Sequence, residues 1–370
     1  MSWWSQTNAR RALAVALAGV VIAAAIVLNL VDAARPECCD GRRPYVTLYA
    51  HDRTHVEALL VSGDGQAFAA LAQDPLLRRP SVIAAHGEFA YRAQRPLWGY
   101  LAWAGSAGQP DLVGWALVVL AILGCGAACG VGAVLLLDRG ASPWWGLGLI
   151  AAGYESLGTL TPEIFALALF GAGIILWTRD RRAWAVAAMA AAVLTRETMI
   201  VGIAAFALWQ FAHADGPFTT RFRRVFPFAI PIAALAAWDS VLRLRLGVWP
   251  TGSSETRLTL PGVGLVDSLQ HQASLGLALG ALLAIGLCVA AFVLARQDPL
   301  TWIVIAYGIF ATTFAREVWV HAGFTRALLP LYVFGSIVTI AALHRRRIAT
   351  GPTHAVPSVD ASARELIATP

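Results

Sequence analysis

The sequence predicts an all-α polytopic membrane protein, and three observations predict it. Of 370 residues, 58% are hydrophobic and only 14% are charged, against roughly 25% charged in a soluble domain. Mean hydropathy is +0.64. Several apolar runs approach or exceed the ~18–20 residues that cross a bilayer. A β-barrel would need ~10-residue segments of alternating polarity, which the chain lacks. The net charge is +6 and all 28 basic residues are arginine. Uniform arginine usage reads as genome composition bias and points to no partner. There is no soluble basic domain, so nucleic acid is not a partner.

Taken in order, two arginines, Arg10 and Arg11, precede about twenty apolar residues. That exceeds the ~7–15-residue core of a signal peptide, so the reading is an uncleaved anchor, with cleavage near Ala33 or Ala34 as the alternative. Residues 35–95 form a long polar loop. Residues 96–107 are apolar and aromatic but would rise only about 18 Å against ~30 Å of hydrocarbon, which predicts an interfacial or re-entrant helix. Spans follow at 111–137, 143–160, 162–178, 183–195, 197–213, 225–242, 273–295, 299–316 and 325–343. With the first, about ten are expected, separated by "DRGASP", "TPE", "RDRR", "ADGP" and "RQDP". Residues 344–370 are polar and read as a disordered cytoplasmic tail. Within the loop, the run from Gln66 to Leu77 puts Phe68, Leu71, Ala72 and Pro75 near one face, predicting short amphipathic helices on the membrane surface. Cys125 and Cys129 ("GCGAACG") and Cys288 read as buried packing residues, and Cys38–Cys39 lacks metal spacing.

Arginines set the orientation. With the N-terminus inside, thirteen lie on the cytoplasmic side (Arg10, Arg11, Arg139, Arg179, Arg181, Arg182, Arg221, Arg223, Arg224, Arg296 and Arg345 to Arg347). Six lie outside, leaving aside the long loop: Arg196, Arg243, Arg245, Arg257, Arg316 and Arg326. This predicts a multi-pass plasma-membrane protein with both termini cytoplasmic and the 35–95 loop extracytoplasmic. The same orientation gathers the out-of-place charges on the outer side: Asp64 in "GDG", Glu163 in "TLTPEIF", Arg196 and Glu197 in "LTRETMIVG", Arg243 and Arg245 in "DSVLRLRLG", and Arg316, Glu317 and Arg326 in "FAREVWVHAGFTRALLP".

A charge at mid-bilayer costs about 2.5–3.5 kcal/mol on insertion scales. The 183–195 segment rises only about 20 Å, so Arg196 and Glu197 would meet in a wet recess rather than in lipid. Consecutive helical residues do not face each other, so each needs its own partner. They either pair with neighbouring helices as structural bridges or line a polar site entered from outside. Asp64 is either a solvated turn residue or a site acid whose glycine neighbours let substrate approach. Arg243 and Arg245 would hold lipid headgroups or clamp a lipid-linked phosphate, and Arg196, Arg316 and Arg326 are the other candidates for that clamp, not all of them at once. His51 and His55, four apart with Asp52 between, read as solvated rather than metal-binding. Trp98, Trp103, Trp144, Trp145 and Trp249 read as interface-belt residues, with stacking of a few on sugar rings as the alternative.

The run "GDGQAFAALAQDPLLRRP…YRAQRPLWGYLAWAG…TPEIFALALFGAGIILW…LTRETMIVG…FTRALLPL", placed after a first helix and a long outer loop, resembles the GT-C superfamily of membrane glycosyltransferases. More narrowly, it is similar to bacterial mannosyltransferase-like, cell-surface glycopolymer proteins over roughly residues 12–343. The resemblance implies a hexosyltransferase, possible mannosyl specificity included, that uses a polyprenyl-phosphate sugar and a glycan or lipid acceptor. It implies Asp64 as general base or ligand of a divalent cation (Mg or Mn), and catalytic roles for Glu163 and Glu197 beside it. Gln66, Arg92, Gln94 and Arg95 would form the vestibule. Arg196 and Arg326 would line the site with the helix-borne acids. The chain departs from the pattern in carrying Thr159 and one loop acid where paired acids are expected, so a catalytically degenerate member is one reading. No GxGxxG nucleotide fingerprint appears, which fits a lipid-linked donor and no nucleotide cofactor. The alternatives are a transporter or flippase of lipid-linked saccharide, and a non-catalytic envelope-assembly subunit.

Overall fold

The computed structural model describes residues 6–34, 54–61, 63–78, 88–250, 258–272, 274–320 and 323–350. Cys38, Cys39, His51, Asp52 and Arg257 lie outside the described residues. All regular structure among the described residues is helical, apart from one isolated bridge between Leu258 and Phe314. The chain is an all-α membrane protein. Among the described residues, four helices are long and apolar enough to cross a bilayer: Gln6–Ala33, Pro110–Leu137, the helical stretch Phe218–Leu246, and Leu275–Ala295. Their outward faces are apolar. On Leu275–Ala295 alone, Leu279, Leu282, Leu283, Ile285, Val289, Phe292 and Val293 are exposed. An exposed apolar face on a helix of spanning length suits contact with lipid.

Small residues let helices approach where no hydrophobic force draws them together in lipid. Gly126 and Gly130 of Pro110–Leu137 meet Ala16 and Val20 of the first helix, and Gly19 meets Cys129. Cys125 and Cys129 are fully buried in this seam, in the packing role expected for them. Glu163–Thr178 lies between Pro110–Leu137 and Arg182–Thr195, with Gly171 against Val131 and Gly173 against Met189. Met199–Ala212 packs on Pro299–Thr312, where Gly202 meets Phe170 and Tyr307.

Among the described residues, fewer helices than ten are long enough to span by themselves. Glu163–Thr178, Arg182–Thr195, Met199–Ala212 and Pro299–Thr312 are short apolar helices. The expected span 143–160 is broken into a 3-10 turn, Pro143–Gly148, and two short helices, Leu149–Ala152 and Tyr154–Gly158. Glycine explains the break: Gly146 sits against the backbone of Cys129, and Gly153 faces the tip of Ile164, so the segment wedges into the bundle. The last helix, Leu329–Thr350, carries the chain helically past residue 344, where a disordered tail was expected.

The loop differs from expectation as well. Gly65–Gln73 is a helix, but it is not amphipathic on a surface. Gly65 and Ala67 to Ala72 are all buried, because Pro96–Gly105 packs on it with Gly99 against Leu71. Trp98 is not a belt residue: it is fully buried and donates to the Leu160 carbonyl at 3.1 Å. Trp103, Trp144, Trp145 and Trp249 are exposed.

Candidate functional site

Helix ends build the site. Glu163 opens its helix directly after Pro162, which cannot donate a backbone hydrogen bond and so suits a helix start. Arg196 ends Arg182–Thr195 in extended backbone, φ −152° and ψ 111°, and a new helix begins at Met199. The Tyr307 hydroxyl donates to the Thr198 carbonyl at 2.8 Å and holds this turn from Pro299–Thr312. Extended backbone at Arg196 sends it and Glu197 in different directions, and each finds its own partner. Arg196 lies 3.3 Å from Glu163 and 4.0 Å from Glu197. Glu197 receives both arms of the Arg95 fork, Nε at 2.6 Å and Nη2 at 2.8 Å. Arg95 Nη2 also donates to the Tyr91 hydroxyl at 3.0 Å.

The loop supplies the other half. Asp64 immediately precedes Gly65–Gln73. Its Oδ1 accepts from Arg92 Nε at 3.0 Å and Nη2 at 2.8 Å, and its Oδ2 from Arg326 Nη1 at 3.1 Å. Gly63 and Gly65 serve packing rather than substrate approach. A Cβ on Gly65 would stand 2.8 Å from the Thr159 carbonyl, and one on Gly63 would stand 3.0 Å from the Thr159 side chain. Thr159 therefore occupies the place where an acid was expected and seats the Asp64 turn. Leu160 beside it holds a left-handed φ of 51°, unfavourable for a branched residue, and its carbonyl is fixed by Trp98.

Together Arg92, Arg95, Arg196 and Arg326 face Asp64, Glu155, Glu163 and Glu197, a charge-balanced cluster. Glu155 was not singled out from the sequence. It accepts from Thr325 and lies 3.4 Å from Arg326. Its signal was a lone acid in the apolar run "GLIAAGYESLGTL". The cluster is incompletely satisfied: Gln66 Oε1, Glu163 Oε1, Arg196 Nε and Arg326 Nε are buried without a hydrogen-bond partner among the described residues. Such atoms are rare in proteins and call for an explanation. Gln94 is buried, and its side chain acts on the Asp239 carboxylate.

Three expected arginines stand apart. Arg243 and Arg245 are exposed at the end of Ala229–Leu246, where positive charge suits the helix dipole and Gly247 closes the helix at φ 76°. Arg316 lies 3.8 Å from Asp267, in a separate group with His271. Of the five candidate arginines, Arg243, Arg245 and Arg316 thus stand outside any one phosphate clamp, while Arg196 and Arg326 lie in the cluster. Convergence belongs to Arg92, Arg95, Arg196 and Arg326. The opposite end of the bundle carries its own bridge, Arg139 to Asp298 at 2.7 and 2.8 Å.

A divalent cation at Asp64 does not fit this donor set. Both carboxylate oxygens accept from guanidinium groups, so a cation there would meet two positive charges. No three His, Cys, Asp or Glu residues gather as ligands among the described residues.

Asp64 lies outside the membrane-crossing helices. Burial pushes its carboxyl up, but Arg92, Arg326 and Arg95 outweigh burial and hold it well below the ordinary value of 3.8. The unfolded chain binds this proton more readily, so the pairing adds stability above the ordinary value and loses it as pH falls. The melting temperature in detergent is therefore expected to hold from about pH 7 to about pH 5 and to fall below about pH 4. Asp64→Asn should flatten part of that fall. An identical acid limb in the variant would assign the loss to other groups.

Comparison with family models, with curated proteins and with solved structures finds no match.

Proposed function

We propose that the protein transfers a sugar from a polyprenyl-phosphate-linked donor to a glycan or lipid acceptor of the cell envelope, at the outer face of the plasma membrane. One observation carries this reading. Four arginines and four carboxylates gather at one end of an apolar bundle, with buried polar atoms of Glu163, Arg196, Arg326 and Gln66 left over. A lipid-linked sugar phosphate supplies the complement: phosphate oxygens for guanidinium forks, hydroxyls for carboxylates, and a tail for the lipid-facing helices. In the transfer, the acceptor oxygen bonds the anomeric carbon as the bond from that carbon to phosphate breaks. The electron pair leaves with polyprenyl phosphate, and fixed guanidinium groups stabilise its charge. Arg92 and Arg326 already hold the two oxygens of Asp64, so phosphate oxygens can take the place of carboxylate oxygens on them.

Ten passes suit this reading: the four long helices, Leu329–Thr350, the four short apolar helices, and the broken segment 143–158. A 14-residue helix such as Arg182–Thr195 rises about 21 Å, short of ~30 Å of hydrocarbon. Its end then opens a recess below the outer surface, where Arg196 and Glu163 meet. With both termini cytoplasmic, reporter fusions after Arg182 and Arg224 are expected to read cytoplasm, and fusions near Arg257 to read outside. The reverse pattern would place the cluster on the wrong face for an envelope acceptor.

The decisive test is incubation of purified protein in lipid nanodiscs with radiolabelled polyprenyl-phosphate sugars and a cell-envelope extract. Donor-dependent label in the acceptor fraction is expected. Flux of lipid-linked saccharide across vesicles without any transfer would replace the enzyme with a transporter.

A further inference from the structure

Asp239 is a carboxylate that the charged motifs of the sequence left aside. It lies in Ala229–Leu246, a helix packed against Arg182–Thr195 and Glu88–Ala93. The Trp238 indole donates to the Ala93 carbonyl at 2.7 Å. That bond pins the Trp238–Asp239 turn of helix beside the Ala93–Arg95 backbone. The Gln94 side chain and the charge of Glu197 both act on the Asp239 carboxylate. Arg95, the next residue after Gln94, is the one that grips Glu197. Asp239 thus borders the cluster.

Its pairing sets it apart. Asp64, Glu155, Glu163 and Glu197 each lie within ion-pair distance of a guanidinium. Asp239 has no ion pair among the described residues, and its Oδ1 is buried without a hydrogen-bond partner. The titratable groups around it leave it so. Glu197 faces it with like charge. From Glu88–Ala93, Tyr91 and Arg92 are engaged with Glu197 and with Asp64. Between Ala183 and Thr195 the packed helix carries no titratable residue. On its own helix, Arg243 and Arg245 are exposed. A proton acceptor needs a free lone pair in reach of the reacting hydroxyl. Asp64 and Glu197 have given theirs to guanidinium forks, and Glu163 and Glu155 each face a guanidinium at 3.3 and 3.4 Å, whereas Asp239 faces none among the described residues.

We propose that Asp239, oriented by Gln94, is the general base that takes the acceptor hydroxyl's proton, an assignment that rests on the glycosyl-transfer reading. The proton moves from the acceptor O–H to a carboxylate oxygen of Asp239. The acceptor oxygen forms its bond to the anomeric carbon, and polyprenyl phosphate departs with the electron pair. Asp239 then returns the proton to water or to the departing phosphate.

The competing explanation is that Asp239 only holds Gln94 in place. Asp239→Asn separates the two, because an amide can still pair with Gln94 but cannot accept a proton. In nanodiscs with a radiolabelled polyprenyl-phosphate sugar, the variant is expected to lose about 10²–10⁴-fold in transfer rate. Donor binding should stay within about twofold, and the acid limb of the pH–rate profile should disappear. Transfer within about threefold of wild type overturns the assignment and leaves the transfer reading intact. No transfer by wild type with any donor overturns both. A second measurement does not depend on activity or on the variant folding. A hydrophobic carbodiimide reacts with protonated carboxyl groups, so wild-type protein should be labelled at Asp239, increasingly as pH falls. Labelling of Asp64, Glu163 or Glu197 with Asp239 unlabelled overturns the proposal.

Discussion

Arg95→Lys is expected to abolish sugar transfer and to lower the melting temperature, although it keeps the positive charge. Arg95 is 1% exposed and spreads its fork over both oxygens of Glu197 while touching the Tyr91 hydroxyl. Its guanidinium also lies over the Tyr91 ring at 4.9 Å. A lysine ammonium is a compact point charge and cannot reproduce a planar, bidentate contact. Glu197 would keep one hydrogen bond where it now has two, and the ring contact would weaken. Breaking a buried pair outright, as in Arg95→Ala, costs roughly 3–5 kcal/mol because the remaining charge stays buried. Arg95→Lys should lie between wild type and Arg95→Ala in thermal stability and show no measurable transfer. Wild-type turnover in the lysine variant would mean that charge alone suffices there.

The second large effect is at Asp64. Removing its charge leaves Arg92 and Arg326 without their shared carboxylate. Asp64→Asn is therefore expected to destabilise the loop against Thr159 and to lower the melting temperature of the ligand-free protein by several degrees. The same change exposes two guanidinium groups to any anion that enters. Polyprenyl phosphate should then raise the melting temperature of Asp64→Asn more than that of wild type, since in wild type it must first displace the carboxylate. A shift equal in both proteins would mean that phosphate binds elsewhere. The exposed pair Arg243 and Arg245 would be the next place to look.

The charge-rich segments of the site are readable from the sequence because lipid makes charge conspicuous. Asp64, Glu163, Arg196, Glu197 and Arg326 stand out from apolar runs, and Arg92 and Arg95 flank a short aromatic helix; all seven meet in the cluster. Glu155 and Asp239 were as conspicuous by the same standard. In the sequence, "YESLG" reads as a span interior and "WDSVLRLRL" as an arginine-rich helix end, so neither acid marks a site by itself. Arg243, Arg245 and Arg316 show the opposite error. An expected shared side of the membrane does not imply a shared site, and helix-end dipoles and a local Asp267 account for them.

By itself the sequence determined an all-helical membrane chain, the approximate limits of most of its helices, and the segments in which charge is concentrated. These follow from local quantities: run length, hydropathy, and the glycines and prolines that end helices. Tertiary structure alone decided that 143–158 breaks into turns, that Gly65–Gln73 is buried on nearly every side, and that Trp98 lies inside. It also decided which arginine holds which acid. Those outcomes depend on which elements pack together, and partners separated by 28 residues, as Arg92 is from Asp64, or by 262, as Arg326 is, leave no periodic trace in the chain. A glycine that must meet Thr159 and a glycine that merely turns look the same in one dimension, and only packing separates them.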